Sequence, residues 1–316
     1  MAGYAGLING ALKRRSFLGY MAAFFGATLA SPFLPRWGRS ETAPSSKVVV
    51  AGGEPAAAVQ AVLDALGGID AFVKTGDRVI LKPNASFPNP PEWGSTTHPE
   101  VVVAVAKLCL EAGAKRVLVV DNTLRNPEVC FQRCGIQDAL KGIPEVHLLA
   151  PKSETLYREV EVPQGLSLRR TQVYQEVLEA ECLINLPTAK THSASGVSMA
   201  LKNLMGLIWD RRTFHRNLDL DQAIADLASI LKPSLTVMDA NYALLTAGPG
   251  GPGKVEQWNR VIGSTDPLAV DAYTVSLGAW YGRKVRPDQV KHLRAAHGLG
   301  LGAIDLKGMQ IVERGA

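Results

Sequence analysis

From residue 47 onward, short β-branched runs alternate with stretches whose apolar residues recur every three or four positions. Lys47–Ala51 reads as a first strand, and Val59, Val62, Leu63 and Leu66 mark one face of a helix over 56–66. Arg78–Leu81 reads as a second strand. Pro99 opens a helix, since proline is tolerated in a first turn, and Gly113 ends it. Strands over 116–120 and 146–149 enclose a helix over 128–140, and a polar, hairpin-like stretch runs from 151 to 170. Further strands are expected at 182–186, 235–238, 260–263 and 310–312, with helices over 195–207, 218–231 and 266–277. This alternation predicts an α/β fold, a mostly parallel sheet with helices on both faces. Residues 47–150 and 151–316 are expected to form N- and C-terminal α/β lobes flanking a cleft.

Residues 1–46 follow a different pattern. Lys13-Arg14-Arg15-Ser16-Phe17-Leu18 precedes an uncharged apolar run, Gly19 to Ala30, and then a Pro/Ser/Arg-rich linker. A basic segment before a short apolar one has the form of an export signal. The paired arginines before Ser-Phe-Leu resemble the twin-arginine address. The expected partner is therefore the twin-arginine translocation machinery, and the expected location is the periplasm or another extracytoplasmic space. Contact with the membrane would come only through an uncleaved signal.

This segment carries a formal +4 of the chain's +5, so the rest of the chain is nearly neutral. The basic balance is thus no argument for a nucleic-acid partner, which needs a clustered basic face. Of the four cysteines, Cys109 and Cys182 read as buried apolar residues. Cys130 and Cys134, one helical turn apart, suit a structural or disulfide role better than a metal site, which would need two more ligands. No iron–sulfur cluster is expected from this cysteine pattern, and the sequence names no other cofactor.

The chemistry gathers where strands end. The second strand ends in Lys82-Pro83-Asn84 and the third in Asp121-Asn122-Thr123. The strand at 182–186 is followed by Lys190-Thr191-His192, and that at 235–238 by Asp239-Ala240-Asn241. Parallel strands would deliver all of these to one edge of the sheet, where ligands of open α/β folds bind. Asp and Asn after a strand also serve as caps and turns, but Lys and His do not. Lys202-Asn203 lies in the expected helix after Ser195-Gly196-Val197-Ser198, and with Lys82 and Lys190 would make a positive floor for a small anionic ligand. His215 lies in the polar segment 210–216, either over the cleft or in solvent. Asp266 precedes Pro267 as an N-cap, and Asp271, one turn later, is expected to face the cleft. The run Gly248-Pro249-Gly250-Gly251-Pro252-Gly253-Lys254 lacks P-loop spacing and reads as a lid, a tight backbone approach or a surface loop.

The segments Ile80-Leu81-Lys82-Pro83-Asn84, Thr96-Thr97-His98-Pro99-Glu100 and Leu183-Ile184-Asn185-Leu186-Pro187 with Lys190-Thr191-His192 resemble the domain of unknown function 362 family. So do Ala200-Leu201-Lys202-Asn203-Leu204-Met205-Gly206 and Asp266-Pro267-Leu268-Ala269-Val270-Asp271. The resemblance implies an α/β fold and an association of some members with iron–sulfur redox proteins. It implies no catalytic assignment. Two functions are compatible with these residues. One is an enzyme acting on an anionic small molecule, with His192, Lys190, Asp121 and Asp239 as catalytic groups and Lys82, Asn84, Lys202, Asn203, His215 and Asp271 holding the ligand. In it His192 is the acid or base, oriented by Asp121 or Asp239. The other is a non-catalytic envelope protein that carries a cofactor, metal or solute.

Overall fold

The computed structural model describes residues 46–315. The twin-arginine motif, the apolar run and most of the linker therefore lie outside the described residues.

The chain opens with β1 (Lys47–Gly52), α1 (Pro55–Ala65), β2 (Arg78–Pro83), α2 (Pro99–Glu111) and β3 (Arg116–Val120). It continues through α3 (Pro127–Arg133), α4 (Ile136–Ala139), β4 (Val146–Leu149), β5 (Tyr157–Glu161) and β6 (Arg170–Tyr174). Next come α5 (Gln175–Glu179), β7 (Cys182–Leu186), β8 (Thr188–His192), β9 (Gly196–Ser198) and α6 (Ala200–Asn203). The last elements are α7 (Arg212–Arg216), α8 (Leu220–Ile230), β10 (Leu235–Leu244), β11 (Val255–Ser264), α9 (Pro267–Leu277), α10 (Lys291–Gly298) and β12 (Gln310–Arg314).

One sheet runs in the order β12-β1-β11-β10-β7-β2-β3-β4, with β8 pairing to β10 and β9 to β8. Within it β11 is antiparallel to β1 and β10, and β9 is antiparallel to β8; the other pairings are parallel. Val48 and Val50 join one apolar cluster and Val49 and Ala51 the other, as do Leu118 and Val120 against Val117 and Val119. Alternate residues of each strand point to opposite faces, so a sheet covered on both sides shows an unbroken apolar run. Helices α1, α2 and α4 pack on one face and α6, α8, α9 and α10 on the other.

Strands from both sides of residue 150 interleave: β1 pairs with β11 and β12, and β2 with β7. The boundary expected at 150 therefore crosses a shared sheet and does not separate two sheets. Two helix expectations also change. The helix expected over 128–140 is broken at Gly135, whose φ of +77° suits glycine and stops α3. The helix expected over 195–207 begins only at Ala200, because Gly196 at φ +77° turns the chain back as β9 against β8. Cys130 and Cys134 are buried free thiols, one turn apart and not bonded to each other, as are Cys109 and Cys182 elsewhere. Burial raises the Cys134 thiol to about 12, which keeps it protonated and unreactive. Among the described residues no helix is long and apolar enough to cross a membrane.

The polar stretch after residue 151 is a separate antiparallel hairpin, β5 with β6. Asp226, fully buried on α8, fastens its loop: one carboxylate oxygen accepts the N–H groups of Leu166, Ser167 and Leu168 at 2.7–2.9 Å. Gln222 Nε2 donates to the other at 2.8 Å. Replacing Asp226 by alanine strips three backbone donors of a charged acceptor. The expected cost is about 3 kcal/mol of unfolding free energy in urea titrations, with faster amide exchange at 166–168. A loss below about 1 kcal/mol would contradict this role.

Candidate functional site

The ends of β2, β3 and β8 meet the segment 198–206 around a cleft of about 200 Å³. Lys82, Asn84, Asp121, Lys190, His192, Lys202, Asn203 and His215 line it, together with Phe87, Leu124, Ser198, Met205, Arg211 and Pro249. The sites expected after β2 and β7 lie in the strands themselves. β2 runs on to Pro83, and after Pro187 the chain resumes as β8, with Asp239 N–H donating to the Pro187 carbonyl at 2.8 Å.

At the floor, Lys82 is 1% exposed and its Nζ sits 3.1 Å from Asp121 Oδ1. Burial draws the Lys82 amine below its ordinary value, and Asp121 opposes that shift. The other Asp121 oxygen accepts Ala85 N–H at 2.8 Å and Ser86 Oγ at 3.3 Å. Asn203 closes the arrangement. Its oxygen accepts from Lys82 Nζ and Asn84 Nδ2, both at 3.2 Å, and its amide donates to the Lys82 carbonyl and to Asn185 Oδ1, both at 2.9 Å. Asn203 is therefore spent on the floor and has no free polar atom for a ligand. Gly206 is required beside it: a Cβ there would run into Asp121 Oδ1 and the end of Lys82. Asn122 anchors the same segment, donating from its backbone to the Gly206 carbonyl at 2.8 Å and from Nδ2 to the Ile208 carbonyl at 2.9 Å.

Lys190 and Lys202 form the walls. Lys190 Nζ donates to Asn84 Oδ1 at 3.0 Å and the Ser95 carbonyl at 2.6 Å, and lies 5.2 Å from the Phe87 ring centre. Burial, with Lys202 and Lys82 nearby, lowers its amine to about 7. Lys202, 7% exposed, has only the Met205 sulfur as hydrogen-bond partner among the described residues, at 3.4 Å, and burial with Arg211 nearby lowers it to about 8. The guanidinium of half-buried Arg211 makes no hydrogen bond or ion pair among the described residues.

Among the described residues His192 has no carboxylate partner. Its Nδ1 accepts the N–H groups of Ala194 at 3.0 Å and Ser195 at 3.3 Å, which leaves the proton of the neutral ring on Nε2. Burial beside Lys202 and Lys190 pushes it down to about 2, so the ring is neutral at physiological pH. It stacks on exposed His215 at 5.9 Å. The orienting role expected of Asp121 or Asp239 thus belongs to two backbone amides.

Two of the expected site residues lie behind the cleft. Asp239 accepts His98 N–H at 2.7 Å and both Asn241 nitrogens, tying β10 to the start of α2. Asp271 accepts the Ala200 and Leu201 N–H groups at 2.6 and 3.0 Å, capping α6 from a distance and so aiming Lys202. Asp266 caps α9 through Ala269 N–H. The glycine-proline loop is a tight approach to β8: Gly248 N–H donates to Thr191 Oγ1 at 3.0 Å, and a Cβ there would strike the Thr191 carbonyl. Arg211 and Phe87 were not expected at the site from the sequence, and Ser198 was expected only as part of a helix start. The only trace of Arg211 was its place in a polar stretch, whose orientation comes from Phe214, 1% exposed at the centre of α7.

The lowered lysines set a pH dependence. Between pH 7 and about 8.5 the unfolded chain keeps the Lys190 proton while the folded chain releases it, so the unfolded state binds more protons and stability rises with pH. Lys190→Met should flatten that rise in urea midpoints measured across this range. An unchanged slope would mean that Lys190 is not desolvated as described.

In sequence, the chain is similar to the thylakoid-associated protein sll1697 of Synechocystis sp., 29% identical over 226 residues, covering 68% of this chain and 67% of that protein. Among solved structures it is similar to the lactate racemase apoprotein from Thermoanaerobacterium thermosaccharolyticum, at 12% identity and a TM-score of 0.49, over 77% of this chain and 61% of the racemase chain. The family profile described as domain of unknown function (DUF362) matches residues 79–276, and it spans β2 to α9, every strand end that forms the cleft. The chain belongs to the DUF362 family.

Proposed function

We propose that this protein binds a small anionic molecule in the cleft and acts on it as an enzyme, after export by the twin-arginine route. One observation carries the anion reading: Lys190, Lys202 and Arg211 converge from different elements, and Asp121, the carboxylate lining the cleft, is already paired with Lys82. Buried charges are normally paired. An anion entering here would supply the missing counter-charge and restore the lysine protons that burial drives off.

The acid–base role moves from His192 to Lys190. A general acid or base works best with a pKa near the working pH. Lys190 at about 7 meets that condition and His192 at about 2 does not. His192 instead offers its Nε2–H as a fixed hydrogen-bond donor to the ligand. The export reading rests on Lys13-Arg14-Arg15-Ser16-Phe17-Leu18 and the apolar run after it.

Two experiments test these readings. A bound anion at ten times its Kd adds about 1.4 kcal/mol to stability, a rise of about 3 °C in Tm for a chain of this size. Millimolar acetate, malonate, sulfate or phosphate should produce such a rise in at least one case, neutral acetamide should not, and a Lys190→Met/Lys202→Met variant should lose it. A Tm indifferent to every anion rules the reading out. For export, cell fractionation of an Arg14→Lys/Arg15→Lys variant should find the protein retained in the cytoplasm, with the unaltered chain in the periplasmic fraction. Equal export of both would exclude the twin-arginine route.

A further inference from the structure

With the Lys82–Asp121 pair set aside, three cations that are not solvent-exposed face the cleft with no ion pair among the described residues: Lys190 from β8, Lys202 from α6 and Arg211 from the segment before α7, while Arg212 and Arg216 stand exposed at its mouth. A monocarboxylate would offset one of them. The unused hydrogen-bonding capacity is also one-sided. Among the described residues Lys190 has one ammonium hydrogen left after Asn84 and Ser95, Lys202 has no oxygen partner, and Arg211 has no hydrogen-bond partner at all. His192 presents Nε2–H, and the Ser198 hydroxyl, 6% exposed, has no partner among the described residues. Most acceptors in the cleft are committed: Asp121 Oδ2 to Ala85 and Ser86, Asn84 Oδ1 to Lys190, and Asn203 Oδ1 to Lys82 and Asn84, while Asp121 Oδ1 faces Lys82 as an ion pair.

Donors on five side chains, Lys190, Lys202, Arg211, His192 and Ser198, exceed what the two oxygens of a planar carboxylate can take up and match a tetrahedral oxyanion better. A phosphoryl group carries close to two negative charges at neutral pH and three strong acceptor oxygens. One stretch of the wall is apolar, made by Phe87, Leu124, Met205 and Pro249, with exposed Arg212, His215 and Arg216 at the mouth. At about 200 Å³ the space is smaller than the sites that hold drug-sized ligands. We propose that the ligand is a phosphomonoester-type dianion, its phosphoryl oxygens on Lys190, Lys202 and Arg211 and its small apolar substituent against Phe87 and Leu124. This rests on the anion reading and narrows it to one class. Lys190 and Lys202 sit near 7 and 8 without a ligand, so the dianion would be taken up together with protons.

Isothermal titration calorimetry on the full chain at pH 8, in two buffers of different ionisation enthalpy, tests the class with inorganic phosphate, phenyl phosphate and acetate as probes. Phosphate should bind at least tenfold tighter than acetate, phenyl phosphate at least as tightly as phosphate, and the buffer dependence should show net proton uptake. Lys202→Met should weaken phosphate at least tenfold. Arg211→Ala, a change outside the packed elements, should weaken it too, so the test survives if the buried substitution fails to fold. Acetate binding as tightly as phosphate, or phosphate binding without proton uptake, overturns the phosphoryl class and leaves the anion reading standing. Phosphate binding unaffected by either variant puts the phosphate elsewhere and overturns the proposal. No binding by any of the three probes overturns the phosphoryl class, and the anion reading is then decided by the Tm panel, which includes malonate and sulfate.

Discussion

An ammonium group taken out of water is tolerated only beside a counter-charge and with its hydrogens bonded, and Lys82 imposes that condition at the centre of this protein. Its partner Asp121 stands at the end of the neighbouring parallel strand, so the β2–β3 register brings the two charges together. Removing one partner of such a pair typically costs about 3–5 kcal/mol, because the other is left buried and alone. The surroundings guard against that. Asn203 brings its whole side-chain amide to the pair and its neighbours, Gly206 gives up a side chain to make room, and Asn122 holds the Gly206 segment in place. Three segments far apart in sequence are thereby locked into one polar knot.

The same knot explains the character of the cleft above it. Asp121 forms its ion pair with Lys82, and its more distant charge only partly offsets the burial of Lys190 and Arg211. The lysines respond as desolvated amines do, by giving up protons more readily. Asp271 adds a second layer of control: by capping α6 from α9 it fixes the backbone that carries Lys202 and Asn203. The cleft is thus pre-assembled by groups that a ligand need not touch.

Much of this was legible in the sequence. The β-branched runs placed the sheet strands, and their unbroken apolarity foretold a sheet covered on both faces. Lys82 and Lys190 stood out because lysine has no ordinary reason to follow a strand. The failures have physical causes. Residues 197–208 are buried all round, so no one-sided stripe existed to tell strand from helix. Asp239 and Asp271 have the same side chain whether they face a ligand or hold backbone amides, and only coordinates separate those jobs. Arg211 was hidden among charged neighbours, because the direction of that segment depends on Phe214 finding the core. The resemblance to the family rested on the Lys-Thr-His and Leu-Lys-Asn segments, both of which line the cleft, and gave no chemistry by itself.

The attachment of α7 separates two things that proteins usually have to change together. Phe214 alone anchors this short helix in the core, while Arg212, His215 and Arg216 remain exposed around the mouth. Substitutions at exposed positions rarely alter stability by more than about half a kilocalorie per mole. Relatives of this protein are therefore free to trade the basic rim for another set of side chains without disturbing the ionic floor. Divergence in what the scaffold recognises would be recorded in those few positions first.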